Sequence, residues 1–304
     1  MDIPDKCSQC LDQCVERNRW GNATIKSFSF YKCAMPSFGR LDNYKIEALL
    51  DSFVELAKEV AKNKGLELGQ GSINRNRGEW FELLLFNAMW NELQEFNIKH
   101  DTTLKVVRLP SSTKSHRFWD LFTKDISGDL KNLKVFIANP DFVVIDYGIP
   151  QPPPTSLIES FKSGHKKYFG KLDIANIVSI FSVKTTTRPD RRYICVHEAE
   201  VIRALFLRHN SFAPYVVLGL DLTEADKMVL NSPSILEIIN PSYKNKLIPL
   251  ISSIRDMVKL ADASRVISDI ANAHLEINER QKLSPEEKRI AWYKMLNKNQ
   301  QTTL

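Results

Sequence analysis

Asp141, Lys184 and Glu198 are residue types that phosphodiester hydrolysis asks for. Cutting such an ester needs a cation that activates water and neutralises the charge building on phosphate. Mg2+ is hard and prefers oxygen, so carboxylates are its protein ligands. A lysine beside them can hold the attacking water or stabilise the pentavalent oxyanion. Chemistry of this kind requires the acids and the lysine to stand at the ends of neighbouring elements.

Asp141 follows Asn139-Pro140 and precedes the apolar run FVVIDY. Pro140 cannot donate to a ladder and restricts Asn139, which puts Asp141 where a strand begins. Lys184 closes a second apolar run, and alternation sets Ser182 and Lys184 on one face, opposite Phe181 and Val183. Glu198 and Glu200 open the helical stretch EAEVIRALFLRH. Taken singly, each has an ordinary explanation: a turn aspartate, a snorkelling lysine, carboxylates complementing a helix dipole.

Between Lys184 and Glu198 the run TTTRPDRR packs three arginines and an aspartate into a turn. One arginine fork meets the N7 and O6 acceptors of guanine in the major groove, and the cytosine amino group needs an acceptor such as aspartate. Arg188, Asp190 and Arg191 are therefore equipped to read two consecutive C·G pairs, with Arg192 as a further reader or a phosphate contact. The plain alternative is a solvated ion-pair cluster, worth little at a surface. Lys114, His116, Arg117, Lys162, Lys166 and Lys167 are of the right type to contact phosphate or to lie on ordinary solvated faces. His197 beside Glu198 is more simply packing or solvation than catalysis. A Walker-type glycine loop is absent, so ATP use is not expected.

The elements that must carry these residues alternate in period. Helices are expected at about 43–64, closed by Gly65, and at about 77–93, from apolar residues at helical spacing. Short runs rich in Val, Ile and Phe at about 104–109, 135–138, 142–147, 177–183 and 215–220 read as strands. A proline-rich surface loop covers 150–154, a helix about 196–208, and the last third, about 240–297, is mostly helical. Residues 1–40 read as irregular. The pattern predicts an α/β chain, a mixed sheet flanked by helices, in one domain over 1–304.

Composition agrees without deciding. The chain of 304 residues is 43% hydrophobic and 26% charged, ordinary for a globular protein. Its 42 Lys and Arg against 36 Asp and Glu leave +6, compatible with a polyanionic partner. No apolar run is long enough for a membrane span and no secretory signal opens the sequence, so the expected location is the cytoplasm. Four of the five cysteines, Cys7, Cys10, Cys14 and Cys33, fall in the first 33 residues. An intracellular chain keeps such thiols reduced, so a disulfide framework is not expected. Their spacing supplies four thiolates for a structural Zn2+, although the second paired knuckle of the usual zinc pattern is missing, and scattered cysteines are the alternative.

The stretch from Lys184 through Arg188-Pro189-Asp190-Arg191-Arg192 to His197-Glu198 resembles the active-site segment of type II restriction endonucleases that cut CCGG-containing sites, a branch of the PD-(D/E)XK superfamily. In that family a PD aspartate binds metal, the catalytic lysine follows a serine two positions earlier, and a glutamate from the next helix replaces the acid missing at the serine position. The resemblance thus implies catalytic roles for Asp141, Lys184 and Glu198, with Ser182 at the vacated place, Asp141 and Glu198 as Mg2+ ligands, and base readout by Arg188, Asp190 and Arg191. The family's further acid follows an Arg-Gly-x-Trp-Phe signature; Arg77-Gly78-Glu79-Trp80-Phe81-Glu82 fits and nominates Glu82. The matches cover about 77–90, 139–147 and 181–208 in order. The resemblance implies a restriction-endonuclease fold and Mg2+-dependent cleavage of double-stranded DNA at a palindromic CC…GG core. It also implies 5′-phosphate ends and a homodimer, or a tetramer as in related enzymes. The rivals are a structure-specific repair nuclease of the same fold, and a non-catalytic DNA-binding protein with an N-terminal zinc site.

Overall fold

The computed structural model describes residues 5–38, 44–109, 140–148, 157–186, 188–234, 238, 248–280 and 283–298. The strand expected at 135–138, the loop at 150–154, and Lys114, His116 and Arg117 lie outside them. Two compact units divide the chain: Met1–Ala88 with Met257–Ala263, and Met89–Asp256 with Ser264–Leu304.

The first unit is built on helices: α1 (Asp5–Asp12), a hairpin of β1 (Val15–Arg17) and β2 (Ala23–Ile25), α2 (Ser27–Ala34), α3 (Ile46–Asn63) and the first part of α4 (Gln70–His100). Helix α3 forms where the apolar spacing places it, burying Ile46, Leu49, Leu50, Phe53, Leu56, Ala57 and Val60. Gly65 ends it at φ +62, a left-handed conformation in which its N–H reaches Lys62 O and that of Leu66 reaches Ala61 O. Phe30, Phe53 and Trp80 form a fully buried aromatic cluster, and Trp80 Nε1 donates to Ser27 O at 3.1 Å. The N-terminal segment, expected to be irregular, is thus ordered over 5–38. Its elements, of three to eight residues, are too short to show a hydrophobic period.

The second unit carries the sheet. After the rest of α4 come β3 (Leu104–Arg108), β4 (Phe142–Asp146), α5 (Leu157–Ser163), β5 (Ile177–Lys184), α6 (Pro189–Arg208), β6 (Tyr215–Gly219), α7 (Glu224–Leu230), β7 (Ser253–Asp256), most of α8 (Leu260–Glu279) and α9 (Pro285–Leu296). The strands lie in the order β3-β4-β5-β6-β7. The β3–β4 and β4–β5 pairs are antiparallel, the β5–β6 and β6–β7 pairs parallel. The mixed sheet flanked by helices is therefore present as expected. One face packs Val143, Ile180 and Val217 against Cys195, Ala199 and Ile202 of α6. The opposite end of β4 is fixed by Asp146, whose carboxyl is held down at about 2, chiefly by its hydrogen bond to His274, against burial and with help from Thr103.

Several boundaries differ from expectation: α4, expected at about 77–93, runs seven residues further at each end, over Gln70–His100. The last third contains β7, whose sequence SIRD offers one apolar residue in four and so no strand signal. Helix α6 begins at Pro189, seven residues before the expected start at 196. Proline is well suited to the first helical position, since its missing N–H would have had no partner there. Asp190, Arg191 and Arg192 therefore lie in a helical first turn, not in a free turn.

Candidate active site

The β4–β5 ladder assembles the first half of the site. Pairing of Phe142 with Phe181 places Asp141 beside Ser182, and the Asp141 N–H donates to Phe181 O at 2.9 Å. Asp141 Oδ2 accepts from the Val183 N–H at 2.6 Å and from Lys184 Nζ at 3.3 Å, with Ser182 Oγ at 3.5 Å. One carboxylate oxygen is thereby anchored to β5 by main chain and side chain together. Asp141 and Lys184 remain 22% and 16% exposed, enough to meet a substrate phosphate. Burial alone would lower the Lys184 pKa, but Asp141, Cys195 and Glu198 outweigh it and the net shift is upward. Lys184 is then a permanent cation at neutral pH, fitted to stabilise charge and not to accept a proton.

Helix α6 supplies the second half. Glu198 lies in the body of the helix, not at its opening as expected, and is 4% exposed. One turn earlier Cys195 is buried with its Sγ 3.8 Å from Ser182 Oγ, so this face of α6 rests on the strand that carries Lys184. Tyr215, the first residue of β6, donates its hydroxyl to Glu198 Oε2 at 2.7 Å. Asp141, Ser182, Lys184 and Glu198 are thus brought together. Cys195 and Tyr215 join them although sequence reading passed them over. Cys195 was findable as the residue three before Glu198, on the same helical face; Tyr215 carried no signal beyond opening an apolar strand. Glu82 lies on α4, in the first unit.

The expected readers sit at the start of α6. Arg188 and Asp190 are 67% and 62% exposed, with Arg188 Nε 3.8 Å from Asp190 Oδ1. Arg191 Nη1 donates to Thr186 Oγ1 at 2.9 Å. Arg192 differs: its Nε lies 2.6 Å from Asp226 Oδ1, and Asp226 is only 1% exposed. Leaving a buried carboxylate unpaired is costly, so Arg192, expected as a further reader or a phosphate contact, anchors α6 to α7. Lys162, Lys166 and Lys167, on α5 and the turn after it, are exposed.

Asp141 and Glu198 offer hard oxygen donors next to a lysine. Among the described residues no three His, Cys, Asp or Glu side chains group to hold an ion. A divalent cation here would thus have two carboxylates and complete its shell with water and phosphate oxygens, the mode that suits Mg2+. The residues fit such an ion. The four-thiolate zinc site is corrected. Cys10 and Cys33 are joined in a disulfide, Cα to Cα 5.7 Å, which consumes two of the thiolates and overturns the expectation of reduced cysteines. Cys14 Sγ lies 3.8 Å from Cys33 Sγ, and burial pushes its thiol pKa up, away from the ligating thiolate. The Cys7 side chain is outside the described residues. Among those residues no helix is long and apolar enough to cross a membrane.

The family model described as Cfr10I/Bse634I restriction endonuclease matches residues 9–273. The type II restriction enzyme Cfr10I of Citrobacter freundii is 25% identical over 217 residues, 63% of this chain and 73% of that protein. A crystal structure of the type IIF restriction endonuclease Bse634I with cognate DNA is similar in fold, at TM-score 0.70 and 20% identity, over 89% of this chain and 99% of that one. A second structure of the Bse634I restriction endonuclease matches at TM-score 0.67 and 22% identity, with the same coverage.

Proposed function

The chain belongs to the Cfr10I/Bse634I restriction endonuclease family, and from that membership we propose that it uses Mg2+ to hydrolyse double-stranded DNA at a palindromic site with a CC…GG core, leaving 5′-phosphate ends. The observation that carries the reading is the convergence of Asp141, Lys184 and Glu198 beside a helix whose exposed first turn bears Arg188, Asp190 and Arg191.

Asp141 and Glu198 would hold the cation, which would supply activated water and neutralise charge on the phosphate. Lys184, cationic and tied to Asp141, faces the scissile phosphate and stabilises the pentavalent oxyanion. The Val183 N–H and Lys184 Nζ fix the Asp141 carboxylate before substrate arrives, so no reorganisation is needed at the moment of reaction. Glu82 is carried as a further catalytic acid on the resemblance alone. Arg188 and Arg191 address guanine edges, and Asp190 accepts from the cytosine amino group. A palindromic site calls for a two-fold homodimer, each copy cutting one strand.

The readout is tested with duplexes in which each core pair is substituted in turn. Wild type is expected to cleave only the CC…GG core. Asp190→Ala is expected to lose about 1–3 kcal/mol of discrimination per contact in each half-site, a relaxation of about fivefold to 150-fold at the cytosine it reads. An Asp190→Ala enzyme that still rejects substituted cores as wild type does would remove Asp190 from recognition.

A further inference from the structure

Tyr215 stands opposite Ile180 in the parallel ladder between β5 and β6 and is 3% exposed. A phenol in a sheet core must find a partner for its O–H, because leaving a buried donor unsatisfied costs about as much as the hydrogen bond contributes. Backbone carbonyls are the common partners for such groups. Here the hydroxyl instead donates to Glu198 Oε2 at 2.7 Å, in a bond buried at both ends. Bonds to an ionised carboxylate are shorter and stronger than neutral ones, and they fix the acceptor's orientation. Glutamate has several torsions to fix, and Glu198 reaches the site from a helix, whereas Asp141 is anchored directly to the strand. Groups that hold a metal ligand from behind set its orientation and its affinity for the ion.

We propose that Tyr215 is a positioning residue for cleavage: its hydroxyl clamps the Glu198 carboxylate in the orientation from which it binds the divalent cation. The proposal rests on the assignment of Glu198 to the metal site.

Tyr215→Phe keeps the ring and removes only the hydroxyl. Mn2+ binding to the full-length chain, followed by the loss of free-ion paramagnetic resonance without DNA, reads affinity apart from turnover. The Mg2+ concentration for half-maximal plasmid cleavage gives the functional counterpart. Both should shift by about tenfold, the lower end of what loss of such a supporting bond costs a metal site. In a Glu198→Ala background the same substitution should leave Mn2+ affinity unchanged, since a group that acts only through Glu198 has nothing left to act on. That double variant removes both ends of the Tyr215–Glu198 bond and leaves Ser182 as the hydroxyl's other polar neighbour, so it reports even where Tyr215→Phe alone does not fold. Unchanged Mn2+ affinity and Mg2+ requirement in Tyr215→Phe would overturn the proposal, whatever its Tm. A further loss of affinity on top of Glu198→Ala would also overturn it, since Tyr215 would then act by another route. Glu198→Ala binding Mn2+ like wild type would be a separate failure, that of the active-site assignment beneath.

Discussion

Asp141→Ala and Lys184→Ala are each expected to abolish cleavage while specific DNA binding, measured in Ca2+, stays nearly intact. The two side chains meet at 3.3 Å at the mouth of the β4–β5 ladder, whereas base readout is proposed for the exposed first turn of α6. In the proposed site Lys184 supplies one preorganised donor to the developing charge, and removal of such a donor costs about 10²–10³ in rate. Asp141 should cost more, because its loss also takes a ligand from the cation and leaves Lys184 without its partner. Its alanine variant additionally strands the Val183 N–H, so Asp141→Asn, which keeps an acceptor there, separates catalysis from folding. Cleavage at the wild-type rate by either variant, or loss of binding in Ca2+ equal to the loss of cleavage, would contradict these roles.

Glu198→Ala is expected to be nearly inactive, and Ser182→Glu combined with it to recover part of the activity. Ser182 occupies the strand position from which the usual motif offers its acid, and it is fully buried, with Oγ 3.5 Å from Asp141 Oδ2 and 3.8 Å from Cys195 Sγ. A glutamate there restores the charge but must fit a closed space, and overpacking of this kind costs about 1–3 kcal/mol. The alanine at 198 relieves some of that crowding across the same helix face. Recovery should therefore be partial, since a small misplacement in a catalytic constellation costs about a hundredfold. The check is single-turnover cleavage of the double variant beside Glu198→Ala. Equal rates would mean that a carboxylate at 182 cannot replace the one at 198.

Much of this site was legible because its residues are close in sequence to strong periodic signals. Asp141 and Lys184 bound two apolar runs of the chain, and alternation alone placed Ser182 and Lys184 on one face. The start of α6 was misjudged because Arg188 to Arg192 are polar and carry no hydrophobic period, so the N1 proline was the sole helix signal and was read as a turn. That shift moved Glu198 from the mouth of the helix into its body, where reach depends on packing against β5 and β6. Tyr215 could not be found in this way: its contact with Glu198 spans 17 residues and exists only because β6 pairs in parallel with β5. The cysteines failed for a different reason. Spacing limits which thiols can converge but not whether they bind an ion or each other, and the disulfide of Cys10 with Cys33 is set by the packing of α1 on α2.

The central claim is metal-dependent cutting at a defined sequence, and digestion of plasmid DNA with the purified chain in Mg2+, followed by sequencing of the ends, tests it most directly. The expected result is a set of discrete fragments with 5′-phosphates, all bounded by CC…GG cores, and none when the ion is chelated. Nicks without sequence preference, or DNA left intact, would contradict the account.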